Sequence, residues 1–284
     1  MDLAGKRVLI TGAGHGLGRA IALEFARARS MVVVTDREPE RVAAVVAEVR
    51  ALGQDAVGYS LDVAVPEQVI AVRKQVHAAG GPIDVLVNNA GVVAGGPFLD
   101  VPLERHLGTV AVNLNGVLAV THAFLPDLLS RPAGRVVNIV SASALVALPH
   151  AASYAASKWA ALGFSESLRE ELKLAGHHHV RVTAVCPSYV ATGLFDGARP
   201  PLFTGVLQPE AVARAVRRAA ERGTEFVLLP RSVRLLYAVA GLLPRRLYLG
   251  LCRRLGVSNS MTAWRGHGRP AAQPAPDEPP VTAR

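Results

Sequence analysis

Thr11-Gly12-Ala13-Gly14-His15-Gly16-Leu17-Gly18-Arg19 is the stretch that decides the fold of this chain. A β-branched run over residues 7–11 enters it, and an apolar helical pattern over 16–28 leaves it. Glycine lets a backbone turn sharply and approach a pyrophosphate with no Cβ in the way. The free amides at the start of the next helix then face the phosphate charge. Such a turn gains meaning from its surroundings, and an acid at the end of the second strand, Asp36, supplies them. It stands 18 residues beyond Gly18. A carboxylate there accepts hydrogen bonds from both ribose hydroxyls of an adenosine and repels a 2′-phosphate. The expected cofactor is NAD. Arg37, next to it, suits a 2′-phosphate and keeps NADP as the alternative.

Outward from this turn, candidate strands at 7–11, 31–35, 56–60, 85–87, 135–140, 181–185 and 225–228 alternate with helical stretches at 16–28, 39–51, 66–78, 101–129, 153–175 and 209–222. Several strands are continuous apolar runs, as strands covered on both faces are. The alternation specifies an α/β fold, a doubly wound Rossmann-type sheet of seven parallel strands with helices on both faces. Two further strand-end loops fit a dinucleotide lying across the sheet. Asp62 and Val63 follow the third strand, beside an expected adenine. Asn89, Ala90 and Gly91 follow the fourth, in a small-residue turn that also reads as purely structural.

The 284 residues are 50% apolar and 19% charged, which excludes a wholly disordered chain and allows a large core. Residues 1–230 read as one catalytic domain, 231–266 as a basic apolar extension, and the Pro/Ala-rich 267–284 as a disordered tail. Cys186 and Cys252 are too few for a disulfide framework and suit a reducing, cytoplasmic setting. No long apolar run opens the chain, so no signal peptide is expected. The net charge of +9 is local: from Phe226 to Pro276 there are eight arginines and no acid. That argues against a nucleic-acid partner for the whole protein. His177-His178-His179 has no acid or cysteine nearby and reads as a solvated loop, so no metal is expected.

The chemistry is carried by Tyr154 and Lys158, four apart near the start of a helical stretch and so on one face. A phenol titrates near pH 10, and a neighbouring ammonium favours the phenolate. The pair therefore offers a general base for an alcohol proton. Ser141 lies thirteen residues before Tyr154 at the end of the fifth strand, where a hydroxyl meets developing oxygen charge. Ser143 competes for that place. Asn113, an amide inside an apolar helical stretch, reads by itself as structural.

In this order and spacing the motifs resemble the short-chain dehydrogenases/reductases over roughly residues 5–228. The resemblance implies a tetrad of Asn113, Ser141, Tyr154 and Lys158. Tyr154 would transfer the proton, Ser141 orient the substrate oxygen, Lys158 grip the nicotinamide ribose, and Asn113 hold a water of the proton relay. It also implies cofactor contacts from Pro187, Ser188, Val190 and Thr192. Ser188 departs from the family's usual Pro-Gly and leaves the local backbone in question. Within the family, the chain is most similar to the retinol dehydrogenase and 17-beta-hydroxysteroid dehydrogenase group. The carriers are Thr35-Asp36, the run from Cys186 to Phe195, and the basic apolar C-terminus.

Substrate loops are expected over 189–205 and beyond Pro230, with Ser141, Ser143, Leu148, Tyr154, Tyr189 and Phe195 facing the substrate. Ala94, Leu145, Val146, Leu194, Leu202, Phe203 and Val206 add apolar margin, which suits a lipophilic alcohol or ketone. The stretch from Arg231 to Gly256 reads either as a lid or as a peripheral membrane contact, too short to span. Pairing into a homodimer or homotetramer through residues 101–129 and 153–175 is implied by the resemblance. The expected activity is NAD-dependent oxidation of a steroid, retinoid or long-chain alcohol. The alternatives are an NADP-dependent carbonyl reductase and a non-catalytic NAD(H) sensor.

Overall fold

The protein's architecture comes from a computed structural model that describes residues 1–240 and 242–266. The tail expected to be disordered, 267–284, lies outside the described residues. Seven strands form one sheet: β1 (Arg7–Thr11), β2 (Met31–Asp36), β3 (Ala56–Ser60), β4 (Val85–Asn88), β5 (Gly134–Ile139), β6 (Val180–Pro187) and β7 (Phe226–Leu229). Their order is β3-β2-β1-β4-β5-β6-β7, and every neighbouring pair is parallel. The winding reverses between β1 and β4, which opens a crevice at the carboxyl ends of those two strands. β1, β4 and β5 are buried throughout, which explains the apolar centres Val8–Ile10, Val85–Val87 and Val136–Val137, with Arg7, Asn88, Arg135 and Asn138 buried beside them. β3 is an edge strand, half covered, and alternates accordingly.

Helices α1 (Gly16–Arg27), α2 (Pro39–Ala51) and α3 (Pro66–Gly80) connect the first strands. Then come α4 (Leu103–Val110), α5 (Gly116–Leu129), α6 (Ala152–Leu174) and α7 (Pro209–Arg222). Proline opens α2, α3 and α7, where its missing N–H costs nothing and its fixed φ suits the first turn. One core layer joins Ile21, Val45 and Val216 of α1, α2 and α7 to the sheet. A second, on the other face, joins Val72, Phe124 and Leu168 of α3, α5 and α6.

The stretch expected to be one helix over 101–129 is interrupted. A π-helical turn, Ala111–Asn115, separates α4 from α5. Such turns accommodate one extra residue and re-aim a side chain. Here the re-aimed side chain is the fully buried Asn113. By length and composition Leu103–Leu129 could cross a membrane. Its C-terminal end is tied to the domain, where the buried Asp127 holds Arg73, His77 and the Ile83 amide.

After β7 come α8 (Arg231–Ala240) and α9 (Arg245–Arg254). Tyr248 and Cys252 of α9, with Val257 and Met261, pack in one cluster with Tyr154, Tyr189 and Leu148. The extension is thus built onto the same end of the sheet as the site.

Candidate active site

The glycine-rich turn is held shut from beneath. Thr11 Oγ1 accepts from the Asn89 and Ala90 amides (3.0 and 3.1 Å). Asn89 Nδ2 donates to the Thr11 and Gly12 carbonyls (2.9 Å each). A Cβ at Gly18 would stand 2.0 Å from Gly12 O, and one at Gly12, whose φ is +61°, would stand 2.8 Å from Ala90 Cα. Only glycine allows the β1 and β4 loops to close this far.

Above the turn lies a cleft of about 430 Å³. Of the residues assigned to cofactor binding, it is lined by Gly12, His15, Gly16, Leu17, Gly18, Asp36, Arg37, Asp62, Val63, Asn89, Ala90, Gly91, Tyr154, Lys158, Pro187, Ser188, Val190 and Thr192. Thr11 and Gly14 do not line it. Gly14 sits against Asp36, whose Oδ2 accepts its amide at 3.0 Å while Oδ1 accepts the Glu38 amide at 3.2 Å. A buried carboxylate at the end of β2, a glycine-lined turn and a helix N-terminus together fit a dinucleotide. Glu38, Arg41, Leu61, Val92 and Val112 also line the cleft and had no distinguishing signal in the sequence.

A second cavity of about 510 Å³ adjoins the first. Ser141, Tyr154, Ser188 and Phe195 line both. Around them Lys158 Nζ donates to Ile139 O at 2.9 Å and stands 5.9 Å from the Tyr154 ring centre. Asn113 lines neither cavity. Its side chain accepts from the Val92 amide and donates to Val92 O and Ser157 Oγ, and Ser157 in turn donates to Tyr154 O. The amide thus clamps the loop after β4 onto the first turn of α6.

Residues 6–201 match the family model described as short chain dehydrogenase. The chain belongs to the short-chain dehydrogenase family. It is 34% identical to epidermal retinol dehydrogenase 2 of Homo sapiens over 263 residues, covering 92% of this chain and 85% of that protein. It is 32% identical to estradiol 17-beta-dehydrogenase 11 of Mus musculus over 256 residues, covering 90% and 86%. Among solved structures, it resembles a short chain dehydrogenase/reductase from Burkholderia phymatum in complex with NAD, with a TM-score of 0.76 and 29% identity over 85% of this chain and 96% of that one. It also resembles an alcohol dehydrogenase from Thermococcus sibiricus complexed with 5-hydroxy-NADP, with a TM-score of 0.71 and 29% identity over 79% and 95%. The family uses nicotinamide dinucleotides, and these two neighbours hold one of each kind.

Where the family's Pro-Gly usually stands, Ser188 keeps an ordinary negative φ and donates its amide to Leu229 O at 2.8 Å. The backbone there needs no glycine.

Electrostatics correct one expectation. Burial pushes the Tyr154 phenol up to about 12, with the Ser141 and Ser143 hydroxyls pulling the other way. Burial likewise lowers the Lys158 ammonium to about 8. Desolvation of two enclosed groups outweighs the through-space help that spacing alone suggested. Lys158 therefore carries a stability signature. Its usual value is 10.5, so between pH 8 and 10.5 the unfolded chain binds the extra proton and stability rises with pH. Tyr154 opposes this only above pH 10. Thermal unfolding of the cofactor-free wild type should gain on Lys158→Met from pH 8 to 10; a constant difference would contradict a buried ammonium.

All six residues assigned to substrate, Ser141, Ser143, Leu148, Tyr154, Tyr189 and Phe195, line the second cavity. Of the apolar margin, Val146, Leu202 and Phe203 line it as well, whereas Ala94, Leu145, Leu194 and Val206 do not. Leu194 faces the cofactor cleft, and Leu145 O accepts the Tyr248 hydroxyl. Beyond Pro230, where substrate loops are expected, the wall is made by Leu235, Val239, Leu251, Leu255 and Val257, side chains that the sequence did not single out. Its signal is the helical spacing 235/239 and 251/255.

The substrate loop is tied to the C-terminal segment. Trp264 Nε1 donates to Leu194 O, the Arg265 amide to Asp196 O, and the Arg199 and Leu202 amides to Ser260 O and Leu255 O. This holds Phe195 edge-on to Tyr154, with ring centres 5.7 Å apart. Trp264→Ala should speed hydrogen exchange at Arg199 and Leu202 by about tenfold or more through local opening. Exchange as slow as in the wild type would refute the tie.

Proposed function

We propose that this chain is an NAD-dependent oxidoreductase that interconverts a lipophilic alcohol, of steroid, retinoid or long-chain type, with its carbonyl. The observation that carries this reading is the border position of Tyr154 and Ser141. Both face the polar cleft and the apolar cavity at once. A bound nicotinamide cofactor supplies the hydride acceptor or donor. Tyr154 takes the alcohol proton in oxidation and returns one in reduction. Ser141 donates a hydrogen bond to the substrate oxygen as charge develops there. Lys158 holds the ribose side of the cleft, and Asn113 holds the α6 base and the relay beside it. Phe195 and Leu148 exclude water and accept apolar substrate surface. The names of the two relatives, a retinol and an estradiol dehydrogenase, support the substrate class.

NAD is favoured by the buried Asp36 carboxylate. The second reading, an NADP-dependent carbonyl reductase, draws on Arg37 and Arg41 in the same cleft. Exposed Leu103, Leu107 and Leu118 on α4 and α5, with Trp159 on α6, support pairing of copies through these helices as a homodimer or homotetramer. Two free, buried cysteines fit a cytoplasmic setting, with the C-terminal helices at a membrane surface.

The test is NADH or NADPH formation by the purified full chain in detergent, with steroid, retinoid and long-chain alcohols. Turnover with NAD and one lipophilic class supports the reading. Tight NADH binding without turnover of any alcohol would favour the sensor. Turnover of polar alcohols alone would overturn the substrate class.

A further inference from the structure

We propose that the mouth of the apolar cavity is a docking surface for an anionic lipid bilayer. The inference deepens the functional reading by naming the partner from which the lipophilic substrate enters. From sequence, lid and membrane contact are competing readings of residues 231–256; the structure lets one element serve as both. The inner face of α9 carries the buried Tyr248 and Cys252 with the cavity-lining Leu251 and Leu255. Helical spacing then turns Arg246 and Arg253 away from that face and puts Leu247 and Arg254 at its flank, and all four are exposed. On α8, Leu235 lines the cavity and is still 71% exposed, so it stands at the rim. Arg231 and Arg234 flank it, also exposed.

The loop adds Leu202 and Phe203, which line the same cavity and are likewise exposed, to this rim. Phe203 is 81% exposed and sits at φ +65°, a left-handed conformation that costs a bulky residue energy. Ser232 Oγ of α8 holds it there by donating to its carbonyl at 2.7 Å. An aromatic ring held outward at the mouth of an apolar cavity gains nothing from water. Leu247, 61% exposed, continues the apolar surface along α9. Arg246, Arg253 and Arg254 make no ion pair among the described residues, and no acid occurs from Phe226 to Pro276. Exposed apolar side chains at the mouth, with exposed arginines on both helices that build it, match an interface whose headgroups are negative and whose interior is hydrocarbon. A water-soluble polyanion would satisfy the arginines and leave Phe203, Leu235 and Leu247 wet. A second copy of this chain would bring arginine against arginine.

The experiment is co-sedimentation of the full chain with phosphatidylcholine vesicles, with and without phosphatidylglycerol. It requires no turnover, so its outcome is separate from that of the activity assay. Binding to the anionic vesicles, weakened by salt, is expected. The triple variant Arg246→Gln, Arg253→Gln, Arg254→Gln should bind them on the order of 100-fold more weakly, at about fivefold per charge. Phe203→Ser with Leu247→Ser should weaken binding as well, without changing its salt dependence. Circular dichroism and the melting temperature report whether each variant is folded. No sedimentation of the wild type, or unchanged binding by both folded variants, would overturn the proposal. Equal affinity for duplex DNA that ignores Phe203→Ser would replace the bilayer with a polyanion. A mass in solution that falls when Phe203 and Leu247 are changed, without vesicle binding, would replace it with a second copy.

Discussion

Tyr154→Phe should lower turnover of a lipophilic alcohol by about 10²- to 10⁴-fold, the usual worth of a positioned acid/base. Its NADH affinity should stay within about twofold, since the change removes one hydroxyl and no cofactor-facing charge. The substitution leaves the ring, and with it the edge contacts to Phe195 and the surrounding packing. The melting temperature is thus expected to hold. The wild-type pH profile follows from the same environment. Burial keeps the phenol protonated well above neutrality, at about 12 in the absence of cofactor. Oxidation consumes the deprotonated form, so kcat/KM for the alcohol should rise with pH, and carbonyl reduction should fall over the same range. The Ser141 hydroxyl pulls that value down, so Ser141→Ala should move the limb to higher pH. Full activity in Tyr154→Phe, or an oxidation rate that falls with rising pH, would remove Tyr154 from the proton path.

Asp36→Asn should shift the preference between NAD and NADP, read as the ratio of their kcat/KM values, by on the order of 100-fold towards NADP. Two like charges about 4 Å apart at an effective dielectric of 20 repel by about 4 kcal/mol, and roughly two thirds of that repulsion accounts for such a shift. Asp36 is suited to the task because it cannot turn away: it is buried, and both oxygens are held by the amides of Gly14 and Glu38. Neutralising it also leaves Arg37 and Arg41 as the remaining charged neighbours able to meet a 2′-phosphate. Asparagine turns one N–H group towards a backbone amide, so a loss of about 1–3 kcal/mol in stability is expected alongside. Unfolding curves separate that cost from the cofactor effect. If NAD turnover is unaffected, Asp36 does not bind the ribose.

The sequence alone determined what depends on neighbours along the chain. Strand and helix alternation follows from side-chain periodicity, and the closed turn follows from glycines at Gly12, Gly16 and Gly18. Tyr154 and Lys158 share a helix face because four residues make about one turn. Tertiary structure decided what depends on neighbours across space. A π-helical turn buried Asn113 away from both cavities, and no local spacing specified it. Arg41 and Val112 entered the cofactor cleft because the β2 and α4–α5 segments converge there. Leu251 and Val257 became the cavity wall, and Trp264 the tie on the substrate loop, from more than ninety residues beyond Tyr154. The direction of the Tyr154 shift belongs with these. Charge proximity is visible as a spacing of four, whereas desolvation is the sum of everything packed around the group, and only the folded chain assembles that.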